Sequence, residues 1–202
     1  MNFNIQPINF NITNVRFKRN SNISQPKDSD LERNPKMDSF EMSIGYVNDA
    51  HGQTNNMMRI LSGIKGDLKL SAGDNDIGDE KNDAIHKATT KFLNIADIKA
   101  SALGNHEIDM SQKDCIEAIN RFNGKMLSIN FEQTPLDEQN PEDIKKFGRA
   151  DLKNHLTKSA VVEVKGEKIG LIGASPIDMM SRLTHPNYYT DCSVDDLDDT
   201  IE

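Results

Sequence analysis

The chain has no tryptophan, only three tyrosines and only two cysteines in 202 residues. Cys115 sits in a helical pattern and Cys192 in an acidic stretch, which argues against a structural disulfide and for a reducing compartment. No run approaches the ~20 apolar residues needed to cross a membrane. The opening MNFNIQPINFNITNVRFKRN alternates asparagine with apolar residues, without the unbroken apolar core of a secretory signal. A cytoplasmic chain is expected. Basic residues are in deficit, 24 Lys and Arg against 32 Asp and Glu, for a net charge of −8. That balance excludes nucleic acid and anionic membranes as electrostatic partners. It leaves room for a phosphorylated small molecule if metal cations supply the local positive charge. The fingerprint G-x-G-x-x-G is also absent after the first apolar segment, which sets aside a dinucleotide-binding Rossmann domain.

What apolar content there is, 36% of residues, comes in clusters. Residues 1–41, rich in Asn, Ser, Asp and Lys, read as a mostly disordered leader, with Ile5 to Phe17 as a transient strand or docking peptide at most. From Met42 the pattern changes. Met42, Ile44, Tyr46 and Val47 form a first strand, and Met57, Ile60, Leu61 and Ile64 recur at helical spacing. Leu68 to Ala72 gives a second strand, Ala84 to Ile95 a second helix and Ile98 to Leu103 a third strand. Ser111 caps a helix carrying Cys115, Ile116, Ile119 and Phe122, and Met126 to Asn130 is a fourth strand. Residues 131–158 read as a polar surface excursion with one short helix, and 159–175 as a hairpin turning at Lys165-Gly166. Residues 177–202 read as an acidic tail. Alternating strands and helices predict an α/β fold, a mixed parallel sheet layered with helices, with functional loops at the carboxyl ends of its strands.

Three short motifs fall at those ends: NDAHG (Asn48 to Gly52), GDND (Gly73 to Asp76) and GNHEID (Gly104 to Asp109). Each alone is what a surface turn also carries. Together they bring carboxylate, imidazole and amide donors to one rim, a set suited to hard or borderline divalent ions. Asp49 and His51, two apart in an extended segment, point to one side. Asp74 has one oxygen for each of two ions. Two ions together clamp a phosphoryl group and activate water, so phosphoester hydrolysis is the leading expectation. Bland roles are assigned elsewhere. Asp76 and Asp79 read as solvated loop acids, His86 and His155 as solvated, Cys115 as core, and the Met57-Met58 and Met179-Met180 pairs as packing.

As an ordered set, these motifs resemble the signature of the calcineurin-like metallophosphoesterases. NDAHG and ALGNHEID, with LSINF at 127–131 and VVEVKGEKIGLIGAS at 161–175, are most similar to the 5'-nucleotidase branch. The resemblance covers about residues 42–176, with 1–41 outside it and 177–202 expected to lead into the missing part of the domain. It implies that Asp49 and His51 bind a first metal, that Asp74 bridges, and that Asn105 binds a second. It further implies that His106 stabilises the transferring phosphoryl group and that Asp109 orients and charges His106. The implied cofactors are two divalent ions drawn from Mn, Zn, Fe or Co. The implied substrate is a nucleoside monophosphate or related phosphoester, attacked in line by metal-activated water. Ile108 stands where the family usually has Phe. The family's later histidines, in L-S-H and G-H-x-H strings, are missing, since only His185 follows Ser175. The chain therefore reads as the N-terminal portion of a metallophosphoesterase sandwich, truncated. The alternative is a catalytically incomplete metal-binding or interaction module.

Overall fold

A computed structural model of the chain describes residues 11–18, 39–53, 57, 63–76 and 83–200. The central sheet has five strands in sequential order: β1 (Asn11–Lys18), β2 (Ser39–Val47), β3 (Leu68–Ser71), β4 (Ala100–Ala102) and β5 (Lys125–Leu127). β2 to β5 are mutually parallel, and β1 lies antiparallel on the outer edge, from Asn11 opposite Tyr46 to Lys18 opposite Ser39. The mixed α/β sheet is as expected, but part of the segment read as a leader is a sheet strand. The remainder of 1–38 lies outside the described residues.

The helices α1 (Asp83–Ile95) and α2 (Gln112–Arg121) connect consecutive parallel strands. Ser111 caps α2 as expected, accepting the amide of Asp114. The helix expected over Met57 to Ile64 lies largely outside the described residues. Met57 and Ile64, its two described apolar positions, are buried. Side-chain alternation along β2 decides what each face covers. Val47 packs with Leu93, Ala96, Ile98 and Phe122 on the helical side. Met42 and Ile44 pack, with Leu68 and Leu70, against Val162, Val164, Ile169 and Leu171 of a hairpin on the other. That hairpin, β7 (Ser159–Val164) and β8 (Glu167–Ile172), turns at Lys165-Gly166 with positive φ at both residues, the geometry that suits a two-residue turn. Ile95 and Ile172 are exposed.

The largest departure from the sequence reading is after β5. Residues 131–158 are not only a surface excursion. β6 (Phe131–Gln133) pairs with β9 (Cys192–Val194), and Phe131 and Leu152 are buried. The expected short helix is α3 (Pro141–Phe147), capped by Asn140. Residues 177–200 are no tail either. Met179, Leu183 and Tyr189 pack with Leu103, Ile108, Met110 and Cys115 in the largest core cluster, and the last turn is α4 (Leu197–Thr200). A buried polar network fastens this segment. The Gln112 amide donates to the Tyr188 carbonyl and to Asp191, and Arg149 pairs with Asp191. Among the described residues, no helix is long and apolar enough to cross a membrane.

Candidate metal centre

The carboxyl ends of β2, β3 and β4 lie side by side, so the loops leaving them meet. The first two loops are zipped beyond the strands. The amides of Asp49, His51 and Gly52 donate to the carbonyls of Gly73, Asp74 and Asn75 at 3.2, 3.0 and 2.8 Å. This zipper sets an unusual backbone. Asp49, His51 and Asp74 all have left-handed φ, at 52°, 47° and 52°. Such angles cost energy for residues with a Cβ and persist where the surroundings over-determine them. Asp49 and His51 therefore converge through a left-handed turn, not through the alternation of an extended strand. One ligand atom from each of Asp49, His51 and Asp74 lies within 4.8 Å of the others. Two carboxylates and an imidazole at that spacing, half exposed to solvent, fit a divalent cation.

The third loop supplies the other expected residues. A Cβ at Gly104 would stand 2.3 Å from Asp74 Oδ1, so only glycine lets this loop approach. The His106 amide donates to that oxygen at 3.1 Å. The His106 ring lies 4.4 Å from the His51 ring, centroid to centroid. Its Nδ1 is 2.9 Å from Oδ2 of Asp109, a fully buried carboxylate whose Oδ1 accepts the Thr184 amide at 2.7 Å. The Asp109 carboxylate raises the His106 pKa above its ordinary value. Burial alone would raise that of Asp109, but His106 and the Thr184 amide together hold it below the usual range. Asn105, buried directly before His106, makes no capping bond with its side chain. The structure thus draws Asp49, His51, Asp74, His106 and Asp109 into one rim, with Asn105 in the same loop.

The sequence reading gave Glu107 no role, yet it is the keystone behind the rim. Its carboxylate accepts the amides of Asp74, Asn75 and Gly104 at 3.0, 2.6 and 2.8 Å, and also the Asn75 side chain. Burial pushes its pKa up to about 7, against the lowering effect of those amides. Asp76 is not a solvated loop acid and His86 is not a solvated helix residue. Both are buried, with Asp76 Oδ1 2.5 Å from His86 Nδ1. Asp79 lies outside the described residues. His155 and His185 are exposed, and Cys115 is core.

No family model and no curated protein matches the sequence. Solved structures do match the fold. A 5'-nucleotidase precursor from Thermus thermophilus superposes with a TM-score of 0.57 at 22% identity, over 78% of this chain and 32% of that one. A calcineurin-like phosphoesterase from Bacillus subtilis gives 0.52 at 16% identity, over 78% of this chain and 55% of that one. The fold is that of the calcineurin-like metallophosphoesterases. A putative 5'-nucleotidase from Staphylococcus aureus shares the metallophosphoesterase fold with a TM-score of 0.54 at 13% identity, over 78% and 33% of the two chains. The chain spans about a third of the length of either nucleotidase.

Proposed function

We propose that the chain carries the opening part of a metal-dependent phosphoester hydrolase site that acts on nucleoside monophosphates or related nucleotides. The observation that supports this most is the convergence of the Asp49, His51 and Asp74 ligand atoms beside the His106–Asp109 pair. Asp49, His51, Asp74 and Asn105 are the residues that would hold two divalent ions. Such ions supply charge neutralisation and an activated water. His106 faces the rim with a proton kept on its ring by Asp109, so it can donate to a phosphoryl oxygen as negative charge grows there. Asp109 itself, fully buried and bonded to the Thr184 amide, fixes the ring's direction. The nucleotide preference rests on the two nucleotidases that share the fold. A second reading, a catalytically incomplete metal-binding module, draws on the single cluster of three donor side chains found among the described residues, fewer than two ions require.

The purified chain, loaded with manganese, is assayed on a generic aryl phosphate and on AMP. The expected result is metal-dependent phosphate release that falls by a factor of about 10²–10³ in Asp74→Asn or His106→Ala, the scale of losing one electrostatic contributor to the transition state. Manganese bound without turnover of either substrate would instead support the module.

A further inference from the structure

The loop Gly73–Asp76 has two sides. Asp74 points to the rim, while Asp76, two residues on, is buried at 5% exposure. There Asp76 Oδ1 meets Nδ1 of His86, also 5% exposed, at 2.5 Å. His86 belongs to the first turn of α1, so this contact ties the candidate ligand-bearing loop to a helix on the sheet's face. We propose that Asp76 and His86 form a positioning pair that sets the direction of Asp74 and so tunes metal affinity. The proposal rests on the metal-site reading above.

The argument is one of constraint. Asp74 holds a left-handed backbone that it would leave if it were free to do so. Its own carbonyl and that of Asn75 are held by the amides of His51 and Gly52, and the two amides by Glu107. Those bonds fix the loop to its flanking strands. The Asp76–His86 contact supplies the anchor from α1, where the loop leaves the sheet. A buried Asp–His pair adds little stability over a well-packed apolar pair, because both groups lose their water. What it adds is direction, since the bond forms at one ring atom and one oxygen. The Nδ1–H can be donated in either protonation state of the ring. Asp76 borders a small cavity of about 30 Å³ shared with Thr89, Thr90 and Glu107. The loop thus has space to shift if the anchor is lost. Partners that orient metal ligands from outside typically change affinity by about 10–100-fold.

The test is manganese binding itself, read from the loss of the free Mn(II) electron paramagnetic resonance signal on titration, with the melting temperature followed alongside. His86→Phe fills the same space without the donor and is expected to raise the manganese Kd at least about tenfold. His86→Asn places its amide nitrogen where Nδ1 sits and is expected to recover to within about threefold of the native chain. Thr89→Val, which changes the cavity wall but not the pair, is expected to leave the Kd unchanged. A folded His86→Phe that binds manganese like the native chain overturns the proposal, as does a His86→Asn no better than His86→Phe. If His86→Phe does not fold, His86→Gln, whose nitrogen mimics the other ring position, takes its place, with native-like binding again the overturning result. A native chain that binds no manganese overturns the metal-site reading and this proposal together. Native binding that is indifferent to position 86 overturns this proposal alone.

Discussion

The front and the back of the Gly73–Asp76 loop are built from the same residue types and do opposite work. In front, Asp49, His51, Asp74 and His106 are partly open to solvent, with strained backbone angles at three of them. Behind, Asn75, Asp76, His86 and Glu107 are buried and bonded to one another across the fold. Metal chemistry needs lone pairs that the protein leaves open. Stability needs buried polar groups that are all paired. The loop separates the two demands by leaving Asp74 partly open to solvent and burying Asn75 and Asp76.

Breaking the back should show first as lost stability. Glu107→Ala strips the partner from three buried amides at once. At about 1–3 kcal/mol for each unsatisfied group, a loss on the order of 3 kcal/mol or more is expected in urea unfolding. Breaking the front without touching a ligand is possible at Gly104. Gly104→Ala would thrust a Cβ into Asp74 Oδ1 and the Asp74 amide, at 2.3 and 2.7 Å. Manganese affinity is expected to fall by a factor of about 10², since a shift of an ångström or so in a reacting group has that scale.

The boundary between the two halves is the His106–Asp109 pair, and pH sharpens it. In the metal-free chain His106 titrates above its ordinary 6.5, so its share of stability is full below that pH and lost as pH rises through the higher folded value. Asp109 titrates below its ordinary 3.8, so its share is full above that and lost as pH falls through the lower folded value. The melting-temperature gap between the native chain and Asp109→Asn should therefore be widest between about 3.8 and 6.5 and close on the alkaline side. The smallest effect is expected far from the rim. Asn140→Ala removes the cap of α3, which accepts the Glu142 amide at 2.9 Å, and should cost about 1 kcal/mol with no change in manganese affinity.

The front was legible in the sequence and the back was not. Asp49, His51, Asp74, His106 and Asp109 lie in short strings at strand ends, so those strings and their resemblance to a family signature were enough to predict that the residues would meet. Glu107 and Asp76 are equally local in sequence, but their partners are not. Glu107 bonds residues 32 and 33 positions away, and His86 is 10 residues beyond its acid, in a helix of its own. The segment 177–194 was misread for another reason. Met179, Leu183 and Tyr189 are buried from short 3-10 turns, which leave no helical or strand period to detect. β1 was read as a transient strand at most because Val15 and Phe17 offer an alternation too brief to stand out from an asparagine-rich stretch.

The left-handed angles at Asp49, His51 and Asp74 have a consequence for anyone improving this protein. Glycine would sit at each of these positions more comfortably than the residue now there. A selection that rewards only heat resistance or expression would favour those glycines and would erase the candidate metal-binding rim while the melting temperature rose. The residues that make the site useful are among those the fold would most readily discard.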